Sequence, residues 1–190
     1  MNRVLNSRRV WSALVFVALG APVVGQSPQK KFMGGPVTLE DQVDGLHAAA
    51  ERFEFLDLGR VGIRGWSFGG ELAALALLRR PDVFHAGVVG APVTDQHLYD
   101  TFYTERFLGL PDQEPEAYRR SSPVFDAASL SRPMLLIHGL ADDNVFVANS
   151  LRLSAGLFEA GKWHELVLIP NATHLTRSTA VTENILRVQL

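Results

Sequence analysis

The chain has 190 residues, a length that suits one domain with its own core. It is 47% hydrophobic and 20% charged, and its formal net charge of -2 gives no basic footprint for nucleic acid. With no cysteine it has no disulfide, no cysteine-ligated metal and no cysteine nucleophile, and no run reaches the roughly 18 apolar residues of a membrane span.

The first segment reads in two ways. Arg3, Arg8 and Arg9 precede an apolar run over 10–19, and small or short residues follow up to Gly25-Gln26. That is the layout of a secretory signal peptide, which would place the protein outside the cytoplasm, in the periplasm or medium. Residues 13–19 equally suit a buried strand of a parallel sheet, in a cytoplasmic chain. The strand reading is preferred because the fold argued below needs an apolar strand there. Residues 1–35 are therefore set apart as an apolar N-terminal segment, and 36–190 as the main domain.

After Gly34-Gly35-Pro36, Thr38 is placed to cap a helix with Glu40 and Asp41 in its first turn. Val43, Leu46, His47, Ala50 and Phe53 follow at helical spacing. A strand over 60–64 comes next, then a sharp turn, then a helix over about 70–78 stopped by Arg79-Arg80-Pro81. Residues 86–90 form a short buried strand. The stretch 91–131 is richer in aromatics, proline and charge, with short helical patterns over 96–107 and 114–120. An apolar strand over 134–138, a helix over 147–160, a strand over 165–169 and a helix over 179–190 complete the chain. Strands alternating with helices predict an α/β fold, a parallel sheet covered on both faces. Ligands of such sheets bind beyond the carboxyl ends of the strands.

The turn carries the chemistry. Gly65-Trp66-Ser67-Phe68-Gly69 matches G-x-S-x-G, the pattern of a nucleophile elbow, in which a strained turn lifts a serine hydroxyl clear of the sheet. A side chain at 65 or 69 is expected to crowd the turn and the helix behind it. The backbone N–H of Phe68, at a helix N-terminus, is placed to face a developing oxyanion.

An elbow serine calls for an acid and then a histidine later in the chain. His164 lies before the last strand, on the wrong side of the sheet. His174 lies just past it, in Asn171-Ala-Thr-His174, and is the candidate general base. The acid belongs in the loop after residues 134–138, where Asp142 and Asp143 are adjacent. One can orient the imidazole and the other can cap the helix near Val145; position alone leaves the two equivalent.

Taken together, the motifs resemble the catalytic domain of prolyl oligopeptidase family serine peptidases, in particular the dipeptidyl-peptidase IV-like branch. The resemblance runs from Leu39 to Leu190. It is carried by Leu39-Glu-Asp-Gln42, Gly65-Trp-Ser-Phe-Gly-Gly70, Ala91-Pro-Val93, Tyr99-Asp-Thr-Phe-Tyr-Thr-Glu-Arg106 and His138-Gly-Leu-Ala-Asp-Asp-Asn-Val145. It implies an α/β-hydrolase fold, a cofactor-free and metal-free acyl transfer, and Ser67, Asp142 and His174 as nucleophile, acid and base. It also implies Asn144 as a contact to the substrate backbone. Val93, Tyr99, Tyr103 and Val145, with the Phe68 ring, would wall a compact apolar pocket for a proline-sized side chain.

Two departures stand out. Gln96 occupies a position where this branch typically carries a tryptophan, which implies a looser or more polar pocket. The family's upstream tyrosine, its arginine-glycine loop ahead of the Leu39 helix and its propeller domain have no counterpart here; all three tyrosines, Tyr99, Tyr103 and Tyr118, follow Ser67. A chain lacking its first sheet strands is expected to have a half-built oxyanion hole and an uncovered edge open to self-association. The readings to separate are therefore a peptidase cleaving peptides after proline or alanine, a general esterase on the same fold, and an inactive truncated domain.

Overall fold

Five short apolar segments form one parallel sheet in a computed structural model that describes residues 14–16, 36–176 and 178–189. The strands are β1 (Leu14–Phe16), β2 (Gly62–Trp66), β3 (Ala86–Gly90), β4 (Met134–Gly139) and β5 (Glu165–Ile169), and they neighbour one another in sequence order. Every pairing is parallel. The helices are α1 (Pro36–Arg52), α2 (Phe68–Arg79), α3 (Thr101–Leu108), α4 (Pro115–Arg120), α5 (Ala148–Glu159) and α6 (Thr179–Val188). The parallel α/β architecture expected from the alternation, and the α/β-hydrolase fold implied by the resemblance, are what is observed.

The pleat divides the strand residues between two faces. Ile63, Val89, Met134, Leu136 and Leu166 fall on one face, where they join the main core with Leu39, Val43 and Leu46 of α1, Leu75 and Leu77 of α2, and Leu153 and Leu157 of α5. Ile137, Val167 and Ile169 fall on the other, opposite Val181, Ile185 and Val188 of α6 across an apolar cavity of about 150 Å³. Helices therefore cover both faces, three on one and α6 over the β4–β5 end of the other.

The boundaries shift for physical reasons. Helix α1 starts at Pro36, so Thr38 lies inside its first turn rather than capping it. Proline suits that end because it has no N–H to leave unbonded there. Helix α2 starts at Phe68, directly after the serine, and its residues from Gly69 to Leu78 are all buried. Helix α5 starts at Ala148 behind Val147 and no side chain caps it, so Asp143 does not cap that helix. Between α4 and β4 a 3-10 stretch, Pro123–Ser129, has no counterpart in the expected elements. Strand β1 falls inside the apolar run over 13–19. The rest of the segment, and with it the signal-like reading, lies outside the described residues. Among those described, no helix is long and apolar enough to cross a membrane.

Leu75 has no exposed surface and sits in the middle of the main core. Leu75→Ala should cost about 2–5 kcal/mol of stability, read as a lower urea midpoint at unchanged slope.

Candidate active site

Ser67 lies between the end of β2 and the start of α2, at φ 60° and ψ -123°. Non-glycine residues rarely adopt positive φ, and holding one there costs about 1–3 kcal/mol. Two contacts hold it: its N–H donates to the Gly90 carbonyl at 2.9 Å, and its own carbonyl accepts from Glu71 N–H at 3.0 Å. A Cβ at Gly65 would lie 1.7 Å from the Gly69 carbonyl oxygen, so no side chain fits there. At Gly69 the expectation of crowding is corrected, since a Cβ there would meet nothing within 4 Å. The helix glycine under constraint is Gly70, whose Cβ would come within 2.2 Å of the Gly90 carbonyl oxygen. Phe68 is the first residue of α2, where a backbone N–H has no partner within the helix.

The acid and histidine loops leave the adjacent ends of β4 and β5. Backbone bonds stitch them together: Leu140 N–H donates to Ile169 O at 2.9 Å, and Ala141 N–H to Ala172 O at 3.0 Å. This closeness requires glycine at 139, where a Cβ would approach Ala172 O to 2.3 Å. The result brings His174 Nδ1 to 2.8 Å from Asp142 Oδ2. Asp142 Oδ1 accepts from the N–H groups of Asn144 at 3.0 Å and Val145 at 2.9 Å. The Asp142 side chain is fully buried, whereas Asp143 is exposed. Between the two candidate acids, only Asp142 meets the imidazole.

Trp66 ties the histidine loop to the elbow. Its Nε1–H donates to the His174 carbonyl at 3.1 Å, and the two rings lie 6.4 Å apart between centroids. The Trp66 bond thus holds the His174 loop beside the elbow at the carboxyl ends of the strands, and no hydrogen bond joins the Ser67 and His174 side chains among the described residues.

Of the predicted pocket residues, Tyr99, Tyr103 and Asn144 are brought into contact with one another, and Val145 bonds Asp142. Tyr99 and Tyr103 pack edge to face at 5.5 Å between centroids, and Tyr103 continues to Phe107 at 5.1 Å. The Tyr99 hydroxyl donates to Asn144 Oδ1 at 3.1 Å, which links the aromatic wall to the acid loop. Burial and the negative charges of Asp100 and Asp142 push the Tyr99 phenol above its ordinary value. Val93 and Val145 are buried, while Tyr103 is 39% exposed.

The stretch leading into this wall is held by buried polar residues, of which the sequence singled out only Gln96. Asn149, buried on α5, accepts from the N–H groups of Thr94 at 3.0 Å and Asp95 at 3.3 Å. Asp95, 1% exposed, pairs with Arg152 at 2.6 Å and His97 at 2.8 Å. Gln96 is buried as well; its amide donates to Ser121 O at 3.3 Å and sits against Glu71. The sequence signal for this cluster is a polar residue at helical core positions, Glu71 in the apolar α2 and Asn149 in α5. His138, buried at the end of β4, is another such residue.

Comparison with known proteins follows this geometry. A model of the prolyl oligopeptidase family matches residues 29–189. The chain is 43% identical over 150 residues to human (Homo sapiens) dipeptidyl peptidase 8, covering 77% of this chain and 17% of that protein. It is 39% identical over 130 residues to pig (Sus scrofa) dipeptidyl peptidase 4, covering 67% of this chain and 17% of that one. The solved structure of Porphyromonas gingivalis dipeptidyl peptidase 4 superposes with a TM-score of 0.78 at 29% identity, over 84% of this chain and 23% of that one. The chain thus spans about a sixth of the length of the curated relatives it matches.

Glu71 gives the site a stability signature. Glu71 is 1% exposed, and its Oε1 has no hydrogen-bond partner among the described residues. Burial pushes its pKa well above the ordinary 4.5, against smaller opposing effects from Gln96 and Arg79. Above pH 4.5 the unfolded chain releases this proton and the folded chain keeps it. Glu71 should therefore make stability fall as pH rises from there toward the folded-state pKa. Urea unfolding of Glu71→Gln across that range should show a shallower fall than the unaltered chain.

Proposed function

The chain belongs to the prolyl oligopeptidase family, and we propose that it is a serine peptidase unit that cleaves peptide bonds after proline or alanine. The observation that carries this reading is that a strained serine, a buried aspartate and its bonded histidine all lie in loops at the carboxyl ends of the strands, with Trp66 joining the elbow to the histidine loop.

In the proposed reaction His174 Nε2 takes the Ser67 hydroxyl proton as Oγ attacks the peptide carbonyl carbon. Asp142 holds the imidazole through Nδ1–H and stabilises it once charged. The Phe68 N–H faces the oxyanion that forms on the carbonyl oxygen. His174 then returns the proton to the leaving amine, which departs and leaves an ester on Ser67. Water, deprotonated by the same histidine, attacks that ester; the bond to Ser67 Oγ breaks, His174 passes the proton to Oγ, and the acid product leaves. Tyr99, Tyr103, Val93, Val145 and the Phe68 ring supply flat apolar walls suited to a rigid ring or a methyl group. Asn144, exposed and bonded to Tyr99, would bond the substrate backbone in this reading.

The second reading, a general esterase, is favoured by the 39% exposure of Tyr103, since an open pocket selects weakly for its acyl group. Fluorophosphonate labelling followed by turnover of a Gly-Pro anilide and an aryl acetate separates the readings. The peptidase reading expects labelling that Ser67→Ala abolishes and turnover of the anilide, which Asp142→Asn lowers about 10⁴-fold. Acetate hydrolysis alone would favour the esterase, and an unlabelled Ser67 would rule out both.

A further inference from the structure

Asp142 is a buried carboxylate held by uncharged donors. An ionised carboxylate offers about four acceptor positions. Two are taken by the N–H groups of Asn144 and Val145, and a third by His174 Nδ1. The fourth lies 3.3 Å from Nε2 of His138, which reaches in from β4. No lysine or arginine pairs with Asp142 among the described residues. The remaining groups around it are Asp143 on its own loop, exposed, and Tyr99, whose phenol feels its charge.

The partners of His138 assign its tautomer. Nε2 lies 2.8 Å from the Val145 carbonyl, which can only accept, so Nε2 carries the proton. Nδ1 lies 2.7 Å from Ser150 Oγ and takes that hydroxyl as its donor. The ring has no exposed surface, and burial lowers its pKa below the ordinary histidine value, so it stays neutral. That N–H meets the Val145 carbonyl, and Asp142 Oδ2 lies 3.3 Å from the same nitrogen.

We propose that His138 is a positioning residue for the candidate triad: through Nε2–H it closes the donor set of Asp142 and fixes the direction in which that carboxylate meets His174. This rests on reading Asp142 and His174 as acid and base. A neutral donor suits the place. It satisfies the carboxylate without cancelling its charge, so the charge stays available for the imidazolium that forms on His174.

The test has two arms. In the unaltered, nitrogen-15-labelled chain, long-range proton–nitrogen correlation should show His138 as the Nε2–H tautomer; an Nδ1–H tautomer would overturn the proposal even if no variant folds. In variants, the proton shared by His174 and Asp142 is followed by its downfield resonance, alongside the rate of fluorophosphonate labelling. His138→Leu should lose that resonance and slow labelling about tenfold or more. His138→Gln, which keeps an N–H donor, should restore both to within about twofold. A folded His138→Leu that keeps resonance and rate would sink the proposal, as would a failure of His138→Gln to restore a loss. An unaltered chain that shows the resonance but never labels would count against the peptidase reading instead.

Discussion

Ser67 at positive φ is the constraint on which the rest of the candidate site depends. A serine is not stable in that conformation by itself, so the surroundings must determine it. Its N–H is captured by β3 through Gly90, and the turn closes so tightly that residue 65 can only be glycine. The helix that follows is buried on all sides from Gly69 to Leu78. A helix of that kind cannot rotate or slide without exposing apolar surface, so its first N–H groups point where the core directs them.

The acid and histidine are positioned by a different device. They sit in loops rather than regular elements, yet the loops are joined by backbone hydrogen bonds almost as strands are. The sheet is in effect extended by one rung beyond its last formal pairing. Polar side chains then link this rung to its neighbours. Trp66 reaches it from β2, His138 from β4 through the Val145 carbonyl, and Tyr99 through Asn144 from the aromatic wall. Each of these is one hydrogen bond worth about 1 kcal/mol net, but all act on the same few atoms.

What the sequence made legible follows from what is local. The elbow, the strands and the chain order of serine, acid and histidine are written in short motifs and periodicities, and the fold followed them. The choice between Asp142 and Asp143 is not local. It depends on which carboxylate faces β5, and adjacent residues in a loop give no periodicity to decide that; the family resemblance, not the spacing, favoured Asp142. Glu71, Asn149 and His138 were missed for a related reason. A polar residue inside an apolar run is noticed only when its partners, which lie far off in the chain, are known to surround it. The helix starts moved by two or three residues because proline and a positive-φ serine outweighed the expected caps.

The strands lie side by side in sequence order, and this gives the site a gradient of firmness. The serine hangs from the interior of the sheet, between β2 and β3. The histidine hangs from β5, the last strand in the order, whose residues are half-buried or exposed throughout. Local opening is cheapest where packing is thinnest. His174 would therefore part company with Ser67 through fraying of β5 and α6 long before the core melted, and protection of backbone amides from exchange would decline stepwise from the elbow outward. A bound substrate touching both would clamp the edge to the centre, so occupancy and rigidity would rise together.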